Sequence, residues 1–464
     1  MAWSSAATPD GGPALFARHI ACLAALCASP VWAGENLPEA DSGSPLAPFF
    51  ADAELTGNLF FFYRDRQRYR VDTGHDETIL HHATMQSNVE FSSGFIDQTI
   101  GLDLGYFATA DSENSGYPVH EISFFPWRNP WSPDFAKKDT RSGGSLYKAH
   151  LKIQHGAYWA RLGYFQPTGP GVLGVNWSLL PGAYLGGESG WQSGPLTVAA
   201  AYATQYKAPW YQDTYHFKKN DGLTDVAYLW SLGGRYAFSG HLTAELAYGQ
   251  SQHYLKNAHF KVKYAPEPAW YLSYQLYLMG EHGDNTPGNE HFASTASQHY
   301  LAVLYQPRPW SLKAEFLHSR APTSQPGHAG YFAYRLIGAY GGANGAYEPW
   351  WDSRSDWNHN HESALFTSLG RTLDDFGWNG WRISFALVRG WGGRVYGYAE
   401  TLNERAYTAD IGYTINTGRF SGTQLQLHYI HYDNQTRLPS WTGFKNAFQD
   451  ERDLKFIISI PWRW

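Results

Sequence analysis

Four arginines take alternate positions in YRDRQRYR (63–70): Arg64, Arg66, Arg68 and Arg70, with Asp65 and Gln67 between them. A guanidinium is a permanent cation with five donors and no acceptor, so it holds carboxylates and hydroxyls but takes no proton from a substrate. In an extended chain all four point the same way. A second basic set, Lys148, Lys152 and Arg161, falls on the polar side of LYKAHLKIQ (146–154) and YWARLGYF (158–165). Aromatic residues crowd three other stretches: Trp177, Tyr184 and Trp191 in 174–191, Trp210 and Tyr211 in 206–215, and Trp350, Trp351 and Trp357 beside Asp352, Arg354 and Asp356 in YEPWWDSRSDWN (347–358). Flat rings suit the C–H faces of sugars, and neighbouring charges can bond their hydroxyls; the competing role for each ring is anchoring at a membrane interface. Signals for catalysis are poor. GxSxG and HExxH are absent, and His359 and His361 in HNHE (359–362) share a face without an evident third ligand, so neither metal nor cofactor is expected.

Elements able to position such groups are visible as a two-residue period. The final run DLKFIISIPWRW (453–464) sets Leu454, Phe456, Ile458, Ile460, Trp462 and Trp464 against Asp453, Lys455, Ser459 and Arg463. LTGNLFFFY (55–63), TIGLDLGYF (99–107), HLTAELAYG (241–249), YLSYQLYLM (271–279), YTADIGYTI (407–415) and TQLQLHYIHY (423–432) repeat the pattern. In LYKAHLKIQ it sets Tyr147, Ala149, Leu151 and Ile153 on the apolar side. Each reads as a strand with one apolar and one wet face.

Composition names the medium. Aromatics are 17% of the 464 residues and charged residues only 16%, whereas a water-exposed surface carries about a quarter or more charged. After the first 33 residues no apolar run is long enough for a spanning helix. Unpaired backbone cannot face hydrocarbon, so a membrane sheet must close. An all-β, transmembrane antiparallel β-barrel follows, with 18 or 16 strands. The alternative, a soluble β-sandwich, would have to bury most of 20 Trp, 26 Phe and 32 Tyr.

Residues 1–33 read as a signal peptide: Arg18 and His19, the apolar IACLAALCA, then small residues Val31 and Ala33 about Trp32. Both cysteines, Cys22 and Cys27, lie inside it, leaving the rest without a thiol. Residues 34–50 are rich in Gly, Pro, Ser and acids and read as a flexible periplasmic segment, with a short plug as the alternative; 51–464 form the barrel domain. Segments 111–145, 167–190, 280–298 and 319–364 alternate poorly and are expected outside the cell or folded into the barrel. The net charge of −6 excludes a general nucleic-acid binder.

These motifs resemble the OprD family of outer-membrane porins, and within it the chitoporin branch. PFFADAELTGNLFFFYRDRQ (48–67) is similar to the family's opening strand, and SLYKAHLKIQHGAYWARLGYFQPTGPGVLGVNWSLLPGAYLGGESG (145–190) to its hairpin and following loop. QYKAPW (205–210), GYFAYR (330–335), WWDSRSDWN (350–358) and FQDERDLKF (448–456) continue the match. The longer acidic segment 34–47 departs from it. The resemblance implies 18 strands and inward-folded loops that constrict the pore. One such loop would contain Asn176, Trp177, Leu180, Pro181 and Tyr184, and another Trp350, Trp351, Asp352, Arg354 and Asp356. It implies a basic stripe along the wall, for which Lys148, Lys152 and Arg161 are the candidates by strand phase. Arg64 and Arg66 are expected in the lumen, and Arg68 and Arg70 either there or in the first outer loop.

The expected function is passive, substrate-preferring uptake of chitin-derived oligosaccharides. The alternative is an OprD-type porin for amino acids, peptides or small carboxylates, motivated by the basic clusters. A surface adhesin and a barrel enzyme are the readings from other classes. Expected partners are chitooligosaccharides or other small hydrophilic solutes, outer-membrane lipid and lipopolysaccharide, and the barrel-assembly machinery through Trp464. Both a monomer and a homotrimer are compatible with the family pattern.

Overall fold

The computed structural model describes residues 46–69, 76–117, 125–126, 140–175, 182–208, 212–283, 285, 289–325, 327, 329–337, 344–436 and 449–464. Eighteen antiparallel strands form the barrel wall. In chain order they are β1 (Glu54–Tyr69), β2 (Asp76–Ser92), β3 (Ile100–Tyr117), β4 (Gly143–His155), β5 (Tyr158–Phe165) and β6 (Ala183–Ser193). Next come β7 (Leu196–Lys207), β8 (Leu229–Ala237), β9 (Leu242–Ser251), β10 (Leu255–Tyr264), β11 (Trp270–Glu281) and β12 (Ala296–Tyr305). The last six are β13 (Trp310–Arg320), β14 (Ser363–Thr372), β15 (Trp381–Arg394), β16 (Thr401–Thr414), β17 (Gln424–Asn434) and β18 (Asp450–Arg463). Each pairs with the next, and β18 returns to pair with β1 from Thr56↔Arg463 to Tyr69↔Asp450. That seam closes the ring and removes both sheet edges.

The wall is inverted relative to a soluble protein. Leu104 is 37% exposed, Leu162 52% and Leu246 65%, whereas Gln86, Ser231, Gln275, Gln298, Glu315 and Thr408 are buried. Leucines pointing out and amides pointing in are what lipid outside and polar groups inside require. Aromatics gather at the strand ends that carry the short turns: Trp270 stacks on Tyr305 at 4.2 Å, and Trp381 packs on Tyr413 at 4.9 Å. Towards the other end lie Tyr202–Tyr228 and Trp230–Tyr248, at 5.5 and 5.6 Å. These are the two girdles of a spanning barrel. Replacing Leu246, central on the outer face of β9, by Arg should cost about 2–4 kcal/mol. The folded-to-unfolded band shift on unheated gels should then occur at lower temperature, while the same change in a soluble sandwich's water-facing residue would do little.

Three expectations need correction. Tyr147 does not share the outer face with Leu151: Tyr106 pairs with Leu146 and Gly105 with Lys148, so the chain bulges at Tyr147. Bulging puts two consecutive side chains on the wet side, and both Tyr147 and Lys148 reach Glu90. The segments read as loops are also partly strand. β3 continues to Tyr117 and β6 begins at Ala183. In β6 the glycines make room for neighbours, since a Cβ at Gly190 would lie 2.4 Å from the Trp159 indole. Finally, the end of segment 34–50, read as flexible, is held against the barrel. Its last residues enter a one-turn helix, Ala47–Ala51, fastened by the Gly94 N–H donating to Phe49 O at 3.0 Å. Residues 1–33, read as a signal peptide, and 34–45 lie outside the described residues.

Candidate functional site: a strap across the lumen

The described residues between β13 and β14 fold inward. Segment 346–358 is tied to the wall at widely separated strands. Glu348 accepts from Lys261 Nζ (3.0 Å) and Lys263 Nζ (2.8 Å) of β10 and from Gln275 Nε2 (2.8 Å) of β11. Trp351 Nε1 donates to Glu315 Oε2 of β13 at 2.5 Å, its ring stacked on Phe366. Asp352 meets Lys455 Nζ of β18 at 2.5 Å, and Arg354 Nε lies 2.9 Å from Glu451 Oε2. Eight strand spacings of ~4.8 Å separate β10 from β18 by roughly 38 Å around the wall. Four residue steps from Glu348 to Asp352 reach at most ~14 Å. Even with lysine side chains added, a segment held at both places must cut across the lumen.

The strap's shape is set by unusual backbone. Asp352, Arg354 and Trp357 have φ of 43°, 81° and 54°, each costing on the order of 1–3 kcal/mol for a residue with a Cβ. The anchors named above offset that strain. Burial alone would raise the Asp352 and Glu348 carboxyls, but Lys455 with His428, and Lys261 with Lys263, hold each below its ordinary value. Asp356 goes the other way: burial lifts it despite Arg335 and Arg354.

A second inward piece follows β5. Glu188 of β6 accepts from the backbone N–H of Thr168 (3.0 Å) and Gly169 (2.8 Å), and Val172 N–H donates to Ser231 Oγ at 2.8 Å. Leu173–Gly174 then pairs antiparallel with Asn344–Gly345. The two inward loops are therefore joined by backbone bonds inside the barrel.

The residues singled out in the sequence fall into distinct roles. Arg64, Arg66 and Arg68 do point inward, but all three are buried against β18. Arg64 Nη2 lies 2.5 Å from Asp453, Arg66 Nη2 3.0 Å from the same carboxylate, and Arg68 Nε 2.5 Å from Glu451. With Arg354 and Lys455 they form a network of five cations about Asp352, Glu451 and Asp453. Lys148, Lys152 and Arg161 line another sector, β4–β5, where they are paired with Glu90 (2.6 Å), Asp103 (2.9 Å) and Glu188 (3.1 Å). They are partly accessible, yet Arg161 also braces the root of the first inward loop through Thr168. Glu245 pairs with Arg235 and His259, and Asp410 with His428.

Among the aromatics, Tyr184 is fully buried, packing on Tyr206 at 4.7 Å and donating to Gly174 O. Trp351 and Trp357 are buried as well, whereas Trp350 is 46% exposed. Asp352, although ringed by the barrel and paired with Lys455, keeps 44% of its side chain accessible. Asn176, Trp177, Leu180, Pro181, Trp210, Tyr211 and Arg70 lie outside the described residues. Sequence reasoning missed Glu348, Glu315, Lys261 and Glu451, whose partners are far apart in the chain.

No family model matches this sequence. It is 35% identical to the chitoporin of Escherichia coli (strain K12) over 440 residues, 89% of this chain and 92% of that protein. Solved structures of similar fold include Pseudomonas aeruginosa OpdK with vanillate (TM-score 0.70, 13% identity, covering 90% of this chain and 100% of that one). Pseudomonas aeruginosa OccK3 (OpdO) matches at TM-score 0.67 and 15% identity over 90% of this chain and 98% of that one. Acinetobacter baumannii OccAB1 matches at 0.70 and 17% over 89% and 97%.

Proposed function

This chain belongs to the OprD/chitoporin family of outer-membrane porins, and on that premise we propose that it is a passive channel preferring chitin-derived oligosaccharides. The observation that carries this is the strap, which holds the half-exposed ring of Trp350 and the accessible carboxylate of Asp352 across the route solute must take. A sugar ring can lie on the indole while its hydroxyls or acetamido N–H meet Asp352. Such contacts must be weak and repeated, since a deep well would stop conduction. The protein performs transport and no bond is made or broken.

Trp350→Ala is expected to shorten N-acetylglucosamine-oligomer block events in a planar bilayer severalfold, with ion conductance nearly unchanged. Trp177→Ala tests the other inward loop in the same assay. Trp351→Ala should instead act through stability, because its ring fills the space between Glu315 and Phe366. Unaltered block times in both Trp350→Ala and Trp177→Ala would exclude the aromatic contact.

The second reading, uptake of amino acids, peptides or small carboxylates, is favoured by the partly accessible Lys148 and Lys152. Block by a dicarboxylate, with indifference to sugar length, would establish it over the first. Removal of residues 1–33 on export, recognition of Trp464 by the barrel-assembly machinery, contact with lipopolysaccharide, and assembly as a monomer or homotrimer accompany the proposal. Trp464 supports its part by lying 75% exposed at the closing seam.

A further inference from the structure

We propose that His359, Glu362 and Glu404 form a site for a first-row divalent cation that fastens the end of the strap to the wall. His359 and Glu362 close the inward loop, and Glu404 comes from β16, so the sequence separates the third ligand from the histidine by more than a strand pair. All three are buried, and one ligand atom from each lies within 4.8 Å of the others. His359 Nδ1 lies 2.8 Å from Glu362 Oε2 and 3.7 Å from Glu404 Oε1.

A second observation points to a cation. Glu362 is fully buried, and its Oε1 receives no hydrogen bond among the described residues. Gly390 lets that oxygen lie against the strand, since a Cβ there would sit 2.3 Å from it. Two carboxylates in one dry pocket, if both are ionised, need two positive charges. A protonated His359 supplies one, whereas a divalent cation with neutral imidazole balances both. Glu404 is already oriented as a metal ligand would be, by donors from Ser355 (2.8 Å) and Tyr432. One imidazole with two carboxylates suits zinc and its neighbours, while calcium and magnesium prefer all-oxygen shells.

The test uses the full protein in detergent, stripped with chelator and titrated with zinc. One zinc per chain at micromolar concentration, with X-ray absorption showing mixed nitrogen and oxygen ligands, is expected. Glu404→Gln and Glu362→Gln should each weaken binding by more than the roughly 10–100-fold that loss of a group merely supporting a ligand costs, while His361→Ala, beside the site, should leave it intact. Folding of each variant is checked by heat-modifiable gel mobility, and the spectroscopy of the parent stands if a variant does not fold. Absence of stoichiometric zinc on the parent, or binding that survives both glutamine substitutions, overturns the proposal. The first of these outcomes would leave the two carboxylates sharing a proton.

Discussion

Asp453→Ala should convert from folded to unfolded band at a much lower temperature than the parent barrel, the largest stability loss expected of any single substitution in this wall. Asp453 is wholly buried and accepts Arg64 through both oxygens, Nε at 2.9 Å and Nη2 at 2.5 Å, and Arg66 at 3.0 Å. Removing it leaves the buried Arg64 guanidinium without its carboxylate beside Lys455, while Arg66 keeps Glu451 at 3.3 Å. Breaking a buried pair from one side costs about 3–5 kcal/mol, because the remaining charge stays desolvated. The location aggravates the loss, since these bonds cross the β1–β18 seam. Adding Arg64→Met to Asp453→Ala should recover part of the stability, as one stranded charge is then removed. A single variant that melts with the parent, or a double variant that melts below the single one, would contradict the assignment of this network as structural.

That network shows what the sequence can and cannot convey. The alternation of Arg64, Arg66 and Arg68 near one end and of Asp453 and Lys455 near the other was legible, because a period of two needs only local residues. Once the barrel is taken as closed and antiparallel, the first and last strands must meet. Register then sets Arg66 beside Asp453 and Arg68 beside Glu451. The inward face of β1 could be read; whether its charges faced solute or a partner could not, as that depends on a register fixed by the whole ring. The bulge at Tyr147 was hidden for a similar reason. Its phase slip arises from the pairing with β3, and nothing in LYKAHLKIQ itself announces one. In 346–358 the aromatic and charged types were visible, but exposure was not. Trp350 and Trp351 are neighbours of identical type, yet only Trp351 meets Glu315 and Phe366. Non-glycine residues at positive φ explain why no regular period could sort them.

Deleting residues 347–356 and bridging the gap with glycines should raise open-channel conductance at least about twofold, since pore current is governed by the narrowest lining, and abolish length-dependent block by sugar. The deletion is preferable to Glu348→Ala with Asp352→Ala because of what remains. Without the strap, Lys261, Lys263 and Lys455 gain lumen water, so no charge is stranded in a dry pocket. In the parent the tethers should hold across the neutral range. Both Glu348 and Asp352 have carboxyl values below their unfolded ones, so their contribution is fully present above the unfolded carboxylate range. It is lost only as pH falls through the lowered folded values. Conductance of the parent should accordingly stay level from neutral to mildly acidic solution and become noisy only in strong acid. A deletion that leaves conductance unchanged would mean the strap runs beside the pore instead of across it. A deletion that widens the pore but keeps sugar block would move the sugar contacts to the β4–β5 wall about Lys148, Lys152 and Arg161 or to the loop that carries Trp177.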